Sequence, residues 1–392
     1  MSAAVNLAGM TAHCFRRPAL VFVMLAVGFS FDVTAQNLPR VVQSEKQKFK
    51  TEVVLDGLQN PWGVVRLPDG RYLVTERPGA VKIFDGKNVT TVENTPPVLA
   101  RSQGGMLDIA LHPDYEKNGW IYLAFSKPFE RDTGLTAIVR GRLSGDTFTD
   151  VQTVFDPPAE QATGGGNHWG VRMVFDGAGH LFFAIGDRGH RPDAMNPAQD
   201  LSKVAGKVHR VRDDGAVPKD NPFVRRRNAW PTVWCYGNRN IQGMAFRPGT
   251  GQLWAVEHGP KGGDELNVIR PGLNYGWPVV SFGINYDGTR FTDKTEAPGM
   301  EPPVIHWTPS IAVGGLAFYD GELFPRWKGS AFVTALAAQH VVRLEFDGDR
   351  VVHQERLLER TGRIRDVRVF GDGAVYLVYD VPGRVVRITP AE

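Results

Sequence analysis

The sequence predicts an all-β fold, a six-bladed β-propeller of four-stranded blades with its ligand site at the mouth of the central channel. Two observations lead there. The 392 residues include 44 glycines and 27 prolines, about 18% together against a background of roughly 12%. They fall in turns between apolar runs, not in low-complexity tracts. One pattern then recurs six times: an alternating apolar strand, a tight turn with Asp, Gly or Pro, and a second apolar strand.

The first copy runs from Gly63 to Leu67, turns at Pro68-Asp69-Gly70 and returns from Tyr72 to Val74. The second pairs 107–111 with 120–125 across His112-Pro113-Asp114, and the third pairs 171–175 with 181–185 around Asp176-Gly177. Further copies begin near Met244, Leu316 and Val367, the last turning at Gly371-Asp372-Gly373 before 375–378. Six units over about 340 residues give roughly 57 residues each, which suits a four-stranded blade with insertions. A stacked sandwich explains the strands but not six like-patterned units. The opening strand, Thr51 to Leu55, is expected to pair into the last blade and close the ring, because that removes a free sheet edge. Pro197 to Val204 reads as one short helix. Residues 36–50 read as a linker and 51–392 as one propeller domain.

Composition narrows the function. Lys and Arg number 45 against 42 Asp and Glu, for a net charge of +3, and no basic block exceeds Arg225-Arg226-Arg227. This argues against a nucleic-acid partner. With 42% apolar and 22% charged residues the chain can bury a core, which excludes intrinsic disorder. Near the N-terminus, Arg16-Arg17 precede an apolar stretch from Pro18 to Phe31, and Val33-Thr34-Ala35 fits a small-residue cleavage site. Residues 1–35 therefore read as an export signal, and the mature protein is expected to be periplasmic without membrane insertion. The apolar run of about 14 residues is short for a bilayer span. Beyond it only Cys235 remains, so no internal disulfide is expected.

Propellers carry function on the loops at the channel mouth. The stretch Thr163 to Gly170 is glycine-rich and projects His168, and Asp187 stands at the far end of the same hairpin. Two strands and a short turn bring these ends together, so Asp187 is placed to orient and charge-pair the imidazole. Arg239-Asn240, just before another strand, offers a cation and an amide to an oxygen-rich ligand. Glu257 to Asn267 packs glycines, a proline and carboxylates into eleven residues, which suits a hard cation held by oxygens. Its spacing is not that of the twelve-residue helix-loop-helix calcium loop. Asn274 to Pro278 adds aromatic surface. Arg363 and Arg365 share one strand face, and arginines converging on a channel require an anionic ligand.

Taken in order, Gln103-Gly104-Gly105, Asn167-His168, Gly186-Asp187, Arg239-Asn240, Glu257-His258-Gly259-Pro260 to Asn267, Asn274-Tyr275-Gly276-Trp277-Pro278 and Arg363-Ile364-Arg365-Asp366-Val367 carry a family resemblance. From about Gln59 to Ile388 the chain resembles the soluble quinoprotein aldose sugar dehydrogenases of the glucose/sorbosone dehydrogenase family. The resemblance implies pyrroloquinoline quinone (PQQ) and Ca2+ in the channel of a six-bladed propeller. It also implies oxidation of an aldose C1 hydroxyl to the lactone by hydride transfer to the quinone, and a separate electron acceptor. It gives His168 the role of base and Asp187 its support. Arg239 and Asn240 are implied to bond the quinone oxygens, with Arg239 stabilising developing charge, and Gln103, Arg363 and Arg365 to hold the cofactor and its carboxylates. Gly259 and Pro260 are implied as carbonyl ligands of the cofactor's calcium, and Glu265 and Tyr275 as part of a further, structural calcium site.

Two departures stand out. His258 replaces a glutamine found in some members, and Ala337 replaces a cofactor-binding lysine, which implies weaker quinone binding. Two rival readings remain at this stage. A calcium-dependent propeller lactonase would need carboxylates and amides around one metal and no anion-binding arginines, so Arg239, Arg363 and Arg365 count against it. A non-catalytic binding propeller has no need of His168.

Overall fold

The computed structural model describes residues 38–392. Six antiparallel sheets follow one another along the chain, five with four strands and one with five. The inner strands are Pro61–Arg66, Met106–Leu111, Met173–Phe175, Ile241–Phe246, Val313–Phe318 and Arg363–Val369. Each packs against the inner strand of the next blade, and Arg363–Val369 packs against Pro61–Arg66, closing the ring. The six-bladed all-β expectation is borne out.

Inner strands are covered on both faces, so they read as continuous apolar runs; Met106–Leu111 is buried along all but its last residue. Outer strands keep the alternation of a half-solvated sheet, as in Arg350–Leu357. Glycine serves where inner strands nearly touch. A Cβ on Gly315 would lie 2.5 Å from Asp366 Oδ1, and one on Gly243 would lie 2.5 Å from the Leu316 amide nitrogen.

Two sequence expectations need correction. Residues 36–50 are not simply a linker, because Val41–Gln43 is a strand and the next strand, Lys48–Asp56, begins before Thr51. That strand pairs with Arg384–Pro390 as expected for closure, and Val41–Gln43 adds a fifth strand outside it. The anchor is Phe49, fully buried edge-on to Trp327 at 5.5 Å between centroids. Pro197 to Val204 forms only one 3-10 turn, Pro197–Gln199. Asp200 ends it, because its side chain takes the Ser202 amide at 2.9 Å in place of a further helical bond. The expected export signal, residues 1–35, lies outside the described residues. No helix among those described is long and apolar enough to cross a membrane.

An ion cluster fills the middle of the channel. Arg172 Nη1 donates to Asp108 at 2.8 Å and to Asp366 at 3.0 Å, and Arg368 donates to the same two carboxylates at 2.8 and 2.7 Å. Along the last inner strand, Arg363 and Arg365 line a cavity at one mouth, whereas Val367 and Phe370 line a cavity at the other.

Candidate active site

In each hairpin the start of the inner strand meets the end of the second strand. Ile241 is paired with Glu257, and Arg363 with Val381. Loops at these two positions therefore share one mouth, and they carry Gln103, His168, Asp187, Arg239, Asn240, Gly259 and Pro260, whereas Arg363 and Arg365 lie on the last inner strand, Glu265 on the third strand Asp264–Ile269 and Tyr275 in the loop after it.

His168 adopts φ +55°, held there by its amide, which donates to Gln103 Oε1 at 2.7 Å. Gly186 lets the hairpin ends approach: a Cβ there would stand 2.2 Å from the His168 carbonyl oxygen. The ring's Nδ1 makes a very short hydrogen bond to Asp187 Oδ1. Asp187 is fully buried and also accepts from the Gly189 amide at 2.9 Å, Asn196 Nδ2 at 3.1 Å and Trp277 Nε1 at 2.7 Å. Burial works to raise its pKa, but the His168 hydrogen bond and charge, Arg239 and Asn196 outweigh burial and hold it below the usual carboxylate value. An ionised Asp187 fixes the proton on Nδ1 and leaves Nε2 of His168 as a free acceptor. Burial is also the main reason the His168 pKa lies below the ordinary imidazole value; Asp187 pulls it up, and Arg239 and Arg188 push it down. The ring is thus neutral at neutral pH.

Arg239 is buried beside this pair, 5.1 Å over the Trp277 ring. Its Nη1 donates to the carbonyls of His258 at 3.1 Å and Gly259 at 2.8 Å, while its buried Nε has no partner. Glu257 fixes the backbone here, accepting from the Arg239 amide at 2.6 Å and Asn238 Nδ2 at 3.0 Å. Asn240 is turned inward: its Oδ1 takes the Gly170 amide at 2.9 Å, and its Nδ2 lies 3.4 Å from His258 Nδ1. As placed it braces two loops, with little left for a ligand.

The adjoining cavity, about 310 Å³, is walled by Trp62 and Trp169 and lined by Gln103, Arg363, Arg365 and Asp380. Arg365 donates to Gln242 Oε1 at 2.8 Å, and Arg363 Nε lies 3.5 Å from Asp380. His258 also lines it, with Nε2 bonded to the Val313 carbonyl at 2.7 Å. Burial, followed by the charges of Arg365 and Arg239, pushes its pKa down to about 3, so this departure adds no charge.

Among the described residues no three His, Cys, Asp or Glu side chains converge on a metal-sized point. Any metal at the Gly259-Pro260 loop therefore depends on carbonyl oxygens. Asp264 braces that loop by accepting from the Gly259 amide at 2.9 Å and from Ser310 Oγ at 2.8 Å. A Cβ on Gly259 would stand 2.0 Å from the Gly262 carbonyl oxygen. Glu265 is placed apart from the arginine-lined cavity, next to Glu257. Asn267 Nδ2 links the two at 3.1 and 3.3 Å, and its Oδ1 is buried without a partner. Burial, and then Glu257, push the Glu265 pKa up to about 8. The Tyr275 hydroxyl is committed to the Val268 carbonyl at 2.5 Å and the Arg270 amide at 2.8 Å, which leaves its own carbonyl as the group free to ligate.

Several partners escaped the sequence reading. Trp277 reads from the sequence only as aromatic surface, Glu257 only as a carboxylate of a cation loop, and Asn196 and Gln242 carry no role there. No local signal marks them, because Trp277 lies 90 residues from the carboxylate it holds.

The sequence model of the Glucose / Sorbosone dehydrogenase family matches residues 58–387. The chain belongs to this family. Among family relatives, aldose sugar dehydrogenase YliI of Escherichia coli (strain K12) is 42% identical over 348 residues, covering 86% of this chain and 92% of that protein. The crystal structure of the soluble E. coli aldose sugar dehydrogenase in its apo form superposes with a TM-score of 0.82 at 40% identity, covering 88% of this chain and all of that one. The PQQ-bound aldose sugar dehydrogenase of Streptomyces coelicolor superposes with a TM-score of 0.69 at 28% identity, over 88% and 99% of the two chains. Membership in the glucose/sorbosone dehydrogenase family makes this chain a sugar dehydrogenase, and its candidate site has a neutral histidine beside a cationic cavity.

Proposed function

We propose that this family member is a periplasmic, PQQ- and Ca2+-dependent aldose sugar dehydrogenase that oxidises the C1 hydroxyl to the lactone. The observation that carries this reading is the His168–Asp187 pair set beside a cavity where arginines outnumber carboxylates.

The residues fit both groups. A tricarboxylate quinone suits the cavity with Arg363, Arg365 and the tryptophan walls, and Arg239 Nε is a buried donor still lacking an acceptor. Calcium suits the Gly259-Pro260 carbonyls, and binding there would displace the Arg239 Nη1 hydrogen bond to the Gly259 carbonyl. A second ion suits Glu265 with Glu257 and the orphaned Asn267 Oδ1, a set of hard oxygens whose mutual repulsion a cation would relieve. Bound there, PQQ would supply the two-electron acceptor for the hydride leaving C1, made more electrophilic by calcium. His168 Nε2 takes the C1 hydroxyl proton, and Asp187 stabilises the imidazolium that results. Arg239 presents a cation to developing negative charge.

Chelation and dialysis are expected to abolish aldose-dependent dye reduction, and Ca2+ plus PQQ to restore it. Full oxidation by chelated, quinone-free protein would sink the reading, and lactone hydrolysis with Ca2+ alone would favour the lactonase. Ala337 is exposed beside cavity-lining Leu336, so Ala337→Lys should tighten PQQ binding in a titration; an unchanged Kd would mean the arginines suffice. Export predicts that N-terminal sequencing of mature protein begins near Gln36, whereas an intact Met1 would overturn it.

A further inference from the structure

The cavity that would take the quinone has a third arginine. Arg77 lines it together with Arg363 and Arg365, against the single carboxylate of Asp380. The other two cations have protein partners, Asp380 and Gln242. Among the described residues the Arg77 guanidinium makes neither an ion pair nor a hydrogen bond.

Its backbone, by contrast, is fixed. The Arg77 amide donates to the Asn60 carbonyl at 3.1 Å, and its carbonyl accepts from the Met106 amide at 3.1 Å. Gly105 packs so tightly on it that a Cβ there would lie 1.8 Å from the Arg77 carbonyl oxygen and 2.8 Å from its Cγ. Gly105 follows Gln103, whose side chain holds the His168 amide. The stem of Arg77 is therefore pinned by the same turn that places the base. Position explains how it reaches the mouth: Arg77 follows Tyr72–Glu76, the second strand of its hairpin, and Glu76 is paired with Pro61 at the start of the inner strand.

A stem held rigidly and a charge left uncompensated describe a ligand-binding group, not a structural one. Like charges gathered in a confined space raise the energy of the empty cavity, and an anion relieves it. The strain registers on Arg365: burial first, then Arg363, Arg172 and Arg77, hold its pKa down at about 10 against the pull of Asp380.

We propose that Arg77 is a cofactor-binding residue that holds a carboxylate of the bound quinone. This rests on the PQQ reading above. The assignment gives the cavity three forked cations for a tricarboxylate, each able to make paired N–H···O bonds.

The test is PQQ titration of apoprotein in Ca2+, followed by quenching of tryptophan fluorescence, with apoprotein melting as a control. Arg77→Met is expected to raise the Kd by about 10- to 100-fold, the usual scale for a lost charge-assisted bond. It should leave apoprotein melting unchanged or slightly raised, since a repulsion is removed. Arg77→Lys should recover part of the affinity, keeping the charge but not the fork. The salt dependence of Kd should be shallower in Arg77→Met than in wild type. Equal quinone affinity in wild type and Arg77→Met overturns this inference alone. So does a weaker Kd that comes with lost apoprotein stability and is not improved by Arg77→Lys, because that marks a scaffold role. Failure of wild type itself to bind PQQ overturns both the parent reading and this one.

Discussion

His168→Gln is expected to lower kcat by about 10²–10⁴-fold, the usual worth of a positioned general base. Quinone titration should remain near wild type, because the substitution keeps the main chain that Gln103 holds and removes only the acceptor nitrogen. The pH profile gives an independent readout. The base works when neutral, and burial sets its pKa below the ordinary imidazole value. The rate should therefore stay level through neutrality and fall only at pH below that ordinary value. Asp187→Asn should move the fall further toward acid, since Asp187 is the partner that raises the His168 pKa. Turnover retained in His168→Gln, or lost only together with the quinone, would remove His168 as the base.

The largest stability effect is expected at Arg172. It bridges Asp108 and Asp366 inside the channel, stacks over Trp62 at 4.5 Å and donates to the Gln242 carbonyl at 3.2 Å. Arg172→Met keeps much of the volume but leaves two buried carboxylates sharing Arg368 alone. Breaking a buried ion cluster this way typically costs about 3–5 kcal/mol, and the remaining cation puts the expected loss near the lower end. Denaturant unfolding would measure it. Adding Asp108→Asn to Arg172→Met should recover part of the loss, because one buried charge then needs no partner. A wild-type midpoint for Arg172→Met would show that Arg368 alone balances both carboxylates.

Legibility differed between fold and site for a physical reason. Strand alternation, turn residues and six like units are local signals, and they yielded the propeller. The His168–Asp187 meeting was also legible, because both residues sit at the ends of one hairpin. The groups that tune that pair were not, since Trp277 approaches Asp187 from another loop and Asn196 from farther along its own, with no residue pattern that marks either contact. The linker reading of residues 36–50 failed in the same way. Nothing near Phe49 announces Trp327, and their contact exists only once the ring has closed.

The sequence by itself determined the strand pattern, the number of blades, the pairing of His168 with Asp187, and the arginines, because each depends on residue type and short-range spacing. Tertiary structure alone decided what those residues face. It turned Asn240 inward, left Asn267 Oδ1 and Arg239 Nε without partners, and brought Arg77 into the cavity beside Arg365. Burial and the charges of distant neighbours set these states, and closing six blades around one channel brings those neighbours together.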